Sequence, residues 1–304
     1  MEKFEVHILG CGSALPTQRH NPASQVVGLN DNLYMIDCGE GTQLQYRRAH
    51  LSFARLNHIF ISHLHGDHCF GLIGLISTLS LLGRTAPLHI YASADLERVM
   101  RPQLDFFCQK NHFEVFFHAF SSSCSEQIFE NKSLTVTTIP LRHRLPCCGF
   151  VFREKEKLPH VRRDMLDYLK IPVCEINNIK LGADWKTEDG AIIPNSRLVF
   201  PATAPRSYAY CSDTVYMPEN AELLQGVTTL YHEATFAETE KVRAAETFHS
   251  TAGQAALMAK AAGVSRLVLG HFSSRYEDET QLLSEAQAIF PNTCLSKEGL
   301  RFSV

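Results

Sequence analysis

The sequence predicts an α/β fold, and three observations carry that reading. Short apolar, β-branched runs alternate with stretches whose apolar residues recur at helical spacing. Chemically distinctive residues gather where such runs end, most densely at Ser62-His63-Leu64-His65-Gly66-Asp67-His68. At 304 residues, 45% of them hydrophobic, the chain can bury one large core. A single domain over residues 1–304 is expected.

In chain order, strands are predicted at Phe4 to Leu9, Ser24 to Leu29, Leu33 to Asp37, Leu56 to Ser62, Leu88 to Tyr91, Glu114 to His118 and Leu134 to Ile139. Three more are predicted at Arg206 to Cys211, Thr228 to His232 and Arg266 to Leu269. Each is an apolar run of strand length rich in β-branched or aromatic residues. Helices are predicted at Gly66 to Leu82, Ala94 to Cys108, Thr251 to Ala262 and Glu277 to Phe290. Ser250 or Thr251 is suited to cap the third. Arg153 to Pro205 breaks the alternation, being charged, proline-rich and poorly periodic apart from a short helical stretch around Arg162 to Leu169. It is too long for a simple connection and is read as an inserted arm at about 153–205.

The bulk properties exclude several classes. The first residues carry charges where a signal peptide is apolar, and the longest apolar stretch, Cys69 to Leu82, is too short to span a bilayer. No membrane partner is expected, and the location expected is cytoplasmic. The ten cysteines include no Cys-x-x-Cys pair and are read as reduced thiols. The formal net charge of −3 gives no global attraction to nucleic acid. A phosphate-binding surface would need a local patch, for which Arg19-His20, Arg47-Arg48 with His50 and Arg55, Arg142 and Arg144, and Arg275 are candidates.

The heptapeptide carries the chemistry. It closes a buried strand and opens a helix. Alternate residues of an extended segment point the same way, so His63 and His65 can share one metal ion, while Asp67 and His68 can face a second. Imidazole with carboxylate suits Zn²⁺, and the carboxylate share also admits Mn²⁺. The bland alternative is a group of solvated loop histidines.

His-x-His-x-Asp-His resembles the signature of the metallo-β-lactamase fold superfamily. Further motifs follow in order: Gly10-Cys11-Gly12-Ser13, Asp37-Cys38-Gly39-Glu40-Gly41-Thr42, Pro140-Leu141-Arg142-His143, Ser212-Asp213-Thr214, His232-Glu233-Ala234-Thr235-Phe236, His249-Ser250-Thr251 and His271-Phe272-Ser273-Ser274-Arg275-Tyr276. The series is similar to the ribonuclease Z family, the tRNA 3′-processing endoribonucleases, from about Phe4 to Tyr276. The resemblance implies a sandwich of two mixed sheets flanked by helices. It implies two Zn²⁺ per chain, one held by His63, His65 and His143, the other by Asp67, His68 and His271, with Asp213 between them. It implies precursor tRNA as partner, a homodimer, and removal of the 3′ trailer to leave a 3′-hydroxyl. Asp67 is also the expected proton acceptor. His249 is expected at the scissile phosphate or leaving oxygen, with His232 and Glu233 orienting it. Three departures stand out. Gln18 and His20 occupy positions that are usually basic, Val173-Cys174 stands where the arm usually has Gly-Pro, and Ser212 where glycine is usual. The alternative activity is a hydrolase of the same fold acting on a small phosphodiester, sulfate ester or thioester.

Overall fold

The computed structural model describes residues 3–109 and 111–304. Two seven-stranded sheets are formed. The first runs in the order Arg301–Ser303, Phe4–Gly10, Ser24–Leu29, Asn32–Ile36, Leu56–Phe60, Leu88–Ala92 and Val115–Ala119. Its first four strands pair antiparallel and its last four parallel, so the sheet is mixed. The second runs Thr293–Leu295, Arg266–Gly270, Thr229–Glu233, Ser207–Cys211, Pro146–Glu154, Leu134–Arg142 and Gln127–Glu130.

Alternation along the strands decides what each face meets. In the first sheet Met35, Ile59 and Ile90 point outward onto the helices Leu72–Leu81 and Ala94–Phe107, contributing to one apolar cluster. Tyr34, Phe60 and Tyr91 point inward. Phe60 meets Phe150 and Phe152 of the second sheet, with ring centroids 5.7 and 5.4 Å apart. Phe60 is fully buried, so truncating it to alanine costs about 3–5 kcal/mol. On the second sheet the helix Ala252–Ala261 covers Thr229–Glu233 and Arg266–Gly270. Thr251 caps that helix, accepting from the backbone N–H of Gln254, whose side chain reciprocates.

One predicted helix is broken. Gly66 to Leu82 forms two pieces, Gly66–Cys69 and Leu72–Leu81. At the break the Gly71 N–H donates to the Cys38 carbonyl across 2.8 Å, and a Cβ on Gly71 would stand 2.1 Å from the Gly39 carbonyl oxygen. The break therefore presses the histidine-rich heptapeptide against the loop after Asn32–Ile36.

Residues 153–205, with Lys132–Leu134, form a compact unit of their own. It is more ordered than its sequence predicts. Leu166, Ile171, Ile179 and Leu198 make a small core ringed by Trp185 and Ile193, and two short strand pairs, His160–Val161 with Val199–Phe200 and Trp185–Lys186 with Ile192–Ile193, close it. None of the described helices is long and apolar enough to cross a membrane.

Candidate metal centre and catalytic cleft

The candidate side chains come from the ends of strands. Ser62 to His65 follow Leu56–Phe60; His143 follows Leu134–Arg142; Asp213 follows Ser207–Cys211; His271 follows Arg266–Gly270. Asp37, Asp213 and His271 each take a left-handed backbone, with φ of 55, 59 and 59°. Such residues cost roughly 1–3 kcal/mol each when not glycine and persist where surrounding structure enforces them. Here each one turns a side chain back over the sheet edge instead of continuing the strand.

The seven candidate ligands converge. His65 Nδ1 lies 2.9 Å from His63 Nε2 and 3.2 Å from His143 Nε2. Asp213 Oδ2 lies 3.1 Å from His68 Nε2 and 3.2 Å from His271 Nε2, and its Oδ1 is 3.7 Å from His143 Nε2. Asp67 Oδ2 is 3.4 Å from His68 Nε2 and 3.9 Å from His271 Nε2. Asp213 thus stands between a three-histidine group and a group of Asp67, His68 and His271.

The residues behind these ligands settle which nitrogen each ring presents. The Asp37 carboxylate accepts from His68 Nδ1 at 2.7 Å, from the Ser62 hydroxyl at 2.9 Å and backbone N–H at 2.8 Å, and from the Tyr210 hydroxyl at 2.8 Å. The Ser62 proton is thereby used, so Ser62 Oγ accepts from His63 Nδ1 at 3.0 Å. Thr235 gives its proton to Glu233 Oε2 at 2.5 Å and accepts from His271 Nδ1 at 3.0 Å. His143 Nδ1 donates to the Phe248 carbonyl at 3.0 Å. In all four rings Nδ1 is the donor and Nε2 turns to the centre, the tautomer that ligation requires.

A cation fits this set. His68 Nε2 and His271 Nε2 are buried facing the Asp213 carboxylate without a well-formed hydrogen bond, a costly state unless something electropositive sits among them. Burial works against charge on His68, yet the Asp213 and Asp37 carboxylates outweigh it and hold the ring protonated well above the usual histidine range. A proton there stands where a cation between Nε2 and Asp213 would stand. Burial holds His63 and His143 below the usual range, leaving both rings neutral as ligands need to be.

His249 is not among these ligands. It follows the helix Lys241–Thr247 and Phe248, whose φ is 62°. Its Nδ1 donates to Glu233 Oε1 at 2.9 Å. Glu233 is fully buried and also accepts from the backbone N–H groups of Thr214 (2.6 Å) and Ser250 (3.1 Å). Burial opposes charge on His249, but the Glu233 carboxylate outweighs it and pushes the ring up to about 9. His232 is buried one step further back, its Nδ1 donating to the Glu233 carbonyl at 2.8 Å. A cleft of about 420 Å³ opens over the centre, lined by His65, Asp67, His143, Asp213, His249 and His271 together with Arg144, Arg243 and Arg275. Asp37, Ser62 and Thr235 stand in the motifs the sequence displays but were given no role there, and the Phe248 carbonyl was not singled out. The available signal for Asp37 was an acidic residue ending a wholly apolar strand.

Residues 4–160 match the family described as Anti-Pycsar protein Apyc1, and residues 184–272 the Beta-lactamase superfamily domain. Over all 304 residues the chain is 60% identical to the Ribonuclease Z of Bacteroides fragilis strain YCH46, covering 100% of both chains. It is 56% identical to the Ribonuclease Z of Parabacteroides distasonis, again covering 100% of both. The chain belongs to the ribonuclease Z family. As a ribonuclease Z it is a metal-dependent hydrolase, an endoribonuclease, and the predicted fold is the one found. The human tRNase Z, short form, superposes with a TM-score of 0.71 at 24% identity, covering 99% of each chain, a likeness of fold.

Proposed function

We propose that this ribonuclease Z removes the 3′ trailer from tRNA precursors, leaving a 3′-hydroxyl on the tRNA. The observation that carries the reading is the joining of two separate devices in one cleft: a seven-residue ligand set, and a histidine held by a buried glutamate beside it. We assign His63, His65 and His143 to one zinc ion, Asp67, His68 and His271 to a second, with Asp213 shared. Mn²⁺ is a substitute that the carboxylates admit. Bound there, the ions supply Lewis acidity toward the phosphodiester and lower the pKa of water.

The chain's own residues do the rest. Asp67, at the floor of the cleft, accepts the proton of the attacking water through its outer oxygen. The bond between phosphorus and the tRNA 3′ oxygen breaks, the phosphate staying on the trailer. His249 Nε2 delivers a proton to that leaving oxygen, and Glu233 orients the ring through Nδ1. His232 fixes the backbone of Glu233. The unit at 153–205 serves as an inserted arm of a single domain and binds tRNA without touching chemistry. The working form is a cytoplasmic homodimer.

Incubating the zinc-loaded protein with an end-labelled tRNA precursor tests this. A shortened tRNA that carries a 3′-hydroxyl, with a 5′-phosphorylated trailer, is expected. Turnover of a small phosphodiester with no cleavage of the precursor would favour the small-substrate hydrolase.

A further inference from the structure

A polyanionic substrate must be held by a protein whose formal charge is −3, so attraction has to be local. Three arginines line the catalytic cleft, and they differ in commitment. Arg275 is tied, its Nη1 donating to Glu240 at 2.8 Å and its guanidinium lying 5.0 Å from the centre of the Phe236 ring. Arg144 and Arg243 are exposed, and neither guanidinium makes a hydrogen bond or ion pair among the described residues. Arg144 lies in the turn directly after the candidate ligand His143, between Leu134–Arg142 and Pro146–Glu154. Arg243 lies on Lys241–Thr247, the helix that delivers His249. Two guanidiniums rimming one cleft offer ten N–H donors that no carboxylate of the described residues engages, an arrangement suited to arriving phosphate oxygens.

From this we infer that Arg144 and Arg243 form a phosphate clamp, each holding an unreacted phosphodiester next to the scissile one. The cleft then takes a run of at least three consecutive phosphates, which selects a polynucleotide over a lone diester. The clamp rests on the nuclease reading above and names which residues supply its polyanion affinity. They bind and position; neither reaches the reacting bond.

The test uses the zinc-loaded, full-length protein and its Arg144→Gln, Arg243→Gln and double variants. Precursor tRNA cleavage is measured between about 50 and 200 mM salt, the range over which phosphate contacts weaken strongly. Each substitution is expected to raise KM while kcat stays within about twofold. Each should also flatten the dependence of log kcat/KM on log salt by about 0.7–0.9, the contribution of one neutralised phosphate, and the two losses should add. Arg→Lys at either position should restore the slope. Arg98→Gln, an exposed arginine paired with Asp95, should change neither quantity. Zinc content and Tm, read on every variant, distinguish lost binding from lost folding. Variants that fold, bind zinc and keep the parental KM and salt slope overturn the clamp, as does a fall in kcat at constant KM. Fluorescence anisotropy with a labelled oligoribonucleotide reads the same slopes without turnover. If the parent binds RNA with arginine-dependent slopes yet cuts no precursor, the nuclease reading fails and the clamp stands.

Discussion

The carboxylate of Asp37 accepts the Nδ1 proton of His68 across 2.7 Å, with both side chains wholly buried. The same carboxylate holds Ser62, and through it His63. One acidic residue, 26 and 31 positions before them in the chain, thus sets the tautomer of one histidine in each proposed zinc site. Asp37→Asn keeps the volume but loses the charge and presents an amide in place of one acceptor. Zinc affinity should fall 10–100-fold, the usual effect of losing such a support. Titration against a chromophoric chelator measures it, and unchanged affinity would show that Asp37 serves the core alone.

Two zinc equivalents per chain are expected by elemental analysis of purified protein. His65→Ala and Asp213→Ala should each abolish turnover, the first by opening the three-histidine group and the second by removing the residue between both groups. Circular dichroism and a thermal melt should show the fold largely intact. Full activity of metal-free protein would end the metal assignment altogether.

Most strands and the cluster of candidate ligands were readable in the sequence because strand periodicity and a dense run of histidines with an aspartate are both local patterns; the pairing of the strands into two sheets came from the family resemblance. Gly66 to Leu82 read as one helix because its apolar spacing is continuous; the break at Gly71 is caused by the backbone of Cys38 and Gly39, more than thirty residues away. The bonds that orient the ligands are equally remote. His143 meets a carbonyl 105 positions on, and Thr235 meets His271 across 36. Short edge strands such as Gln127–Glu130 and Arg301–Ser303 are too brief to show a period. The small core of 153–205 is built from a few apolar residues scattered among charges, so no amphipathic stripe announces it.

If the 153–205 unit binds tRNA and performs no chemistry, replacing it with a short flexible linker should raise KM for precursor tRNA. Hydrolysis of a small phosphodiester should survive. No expected ligand lies in the unit, and it carries its own core. Equal loss of both activities would mark it as structural.

The ion pair of His249 with Glu233 should be visible in pH dependence. Its folded-state pKa, about 9, lies above the unfolded value near 6.5. The stabilisation from the pair is therefore complete below about pH 6.5 and lost as pH rises through 9. Denaturant melts should show Glu233→Gln least stable relative to the parent just below about pH 6.5, with the gap narrowing through neutrality and closing toward pH 10. In catalysis the proton donor stays charged to about pH 9. The basic limb of kcat should lie there and move to lower pH in Glu233→Gln. A limb that ignores the substitution would separate His249 from proton transfer.

His249→Ala addresses the donor directly. The ring contributes no expected ligand, and among the described residues only Nδ1 is engaged, by Glu233 and more weakly by Thr235. Nε2 is therefore the nitrogen available to a bound phosphodiester. Removing it should leave zinc content unchanged and lower kcat by about 10²–10⁴, the usual worth of general acid help. The loss should shrink for a substrate whose leaving group is already acidic, such as a nitrophenyl ester, because that oxygen departs without a proton. A loss of equal size on both substrates would instead place His249 on the nonbridging phosphate oxygens, where leaving-group acidity does not matter. Loss of zinc together with activity would mean that the ring supports the ligand shell through its neighbours His143 and His271, whose ring centroids lie 5.1 and 5.4 Å away.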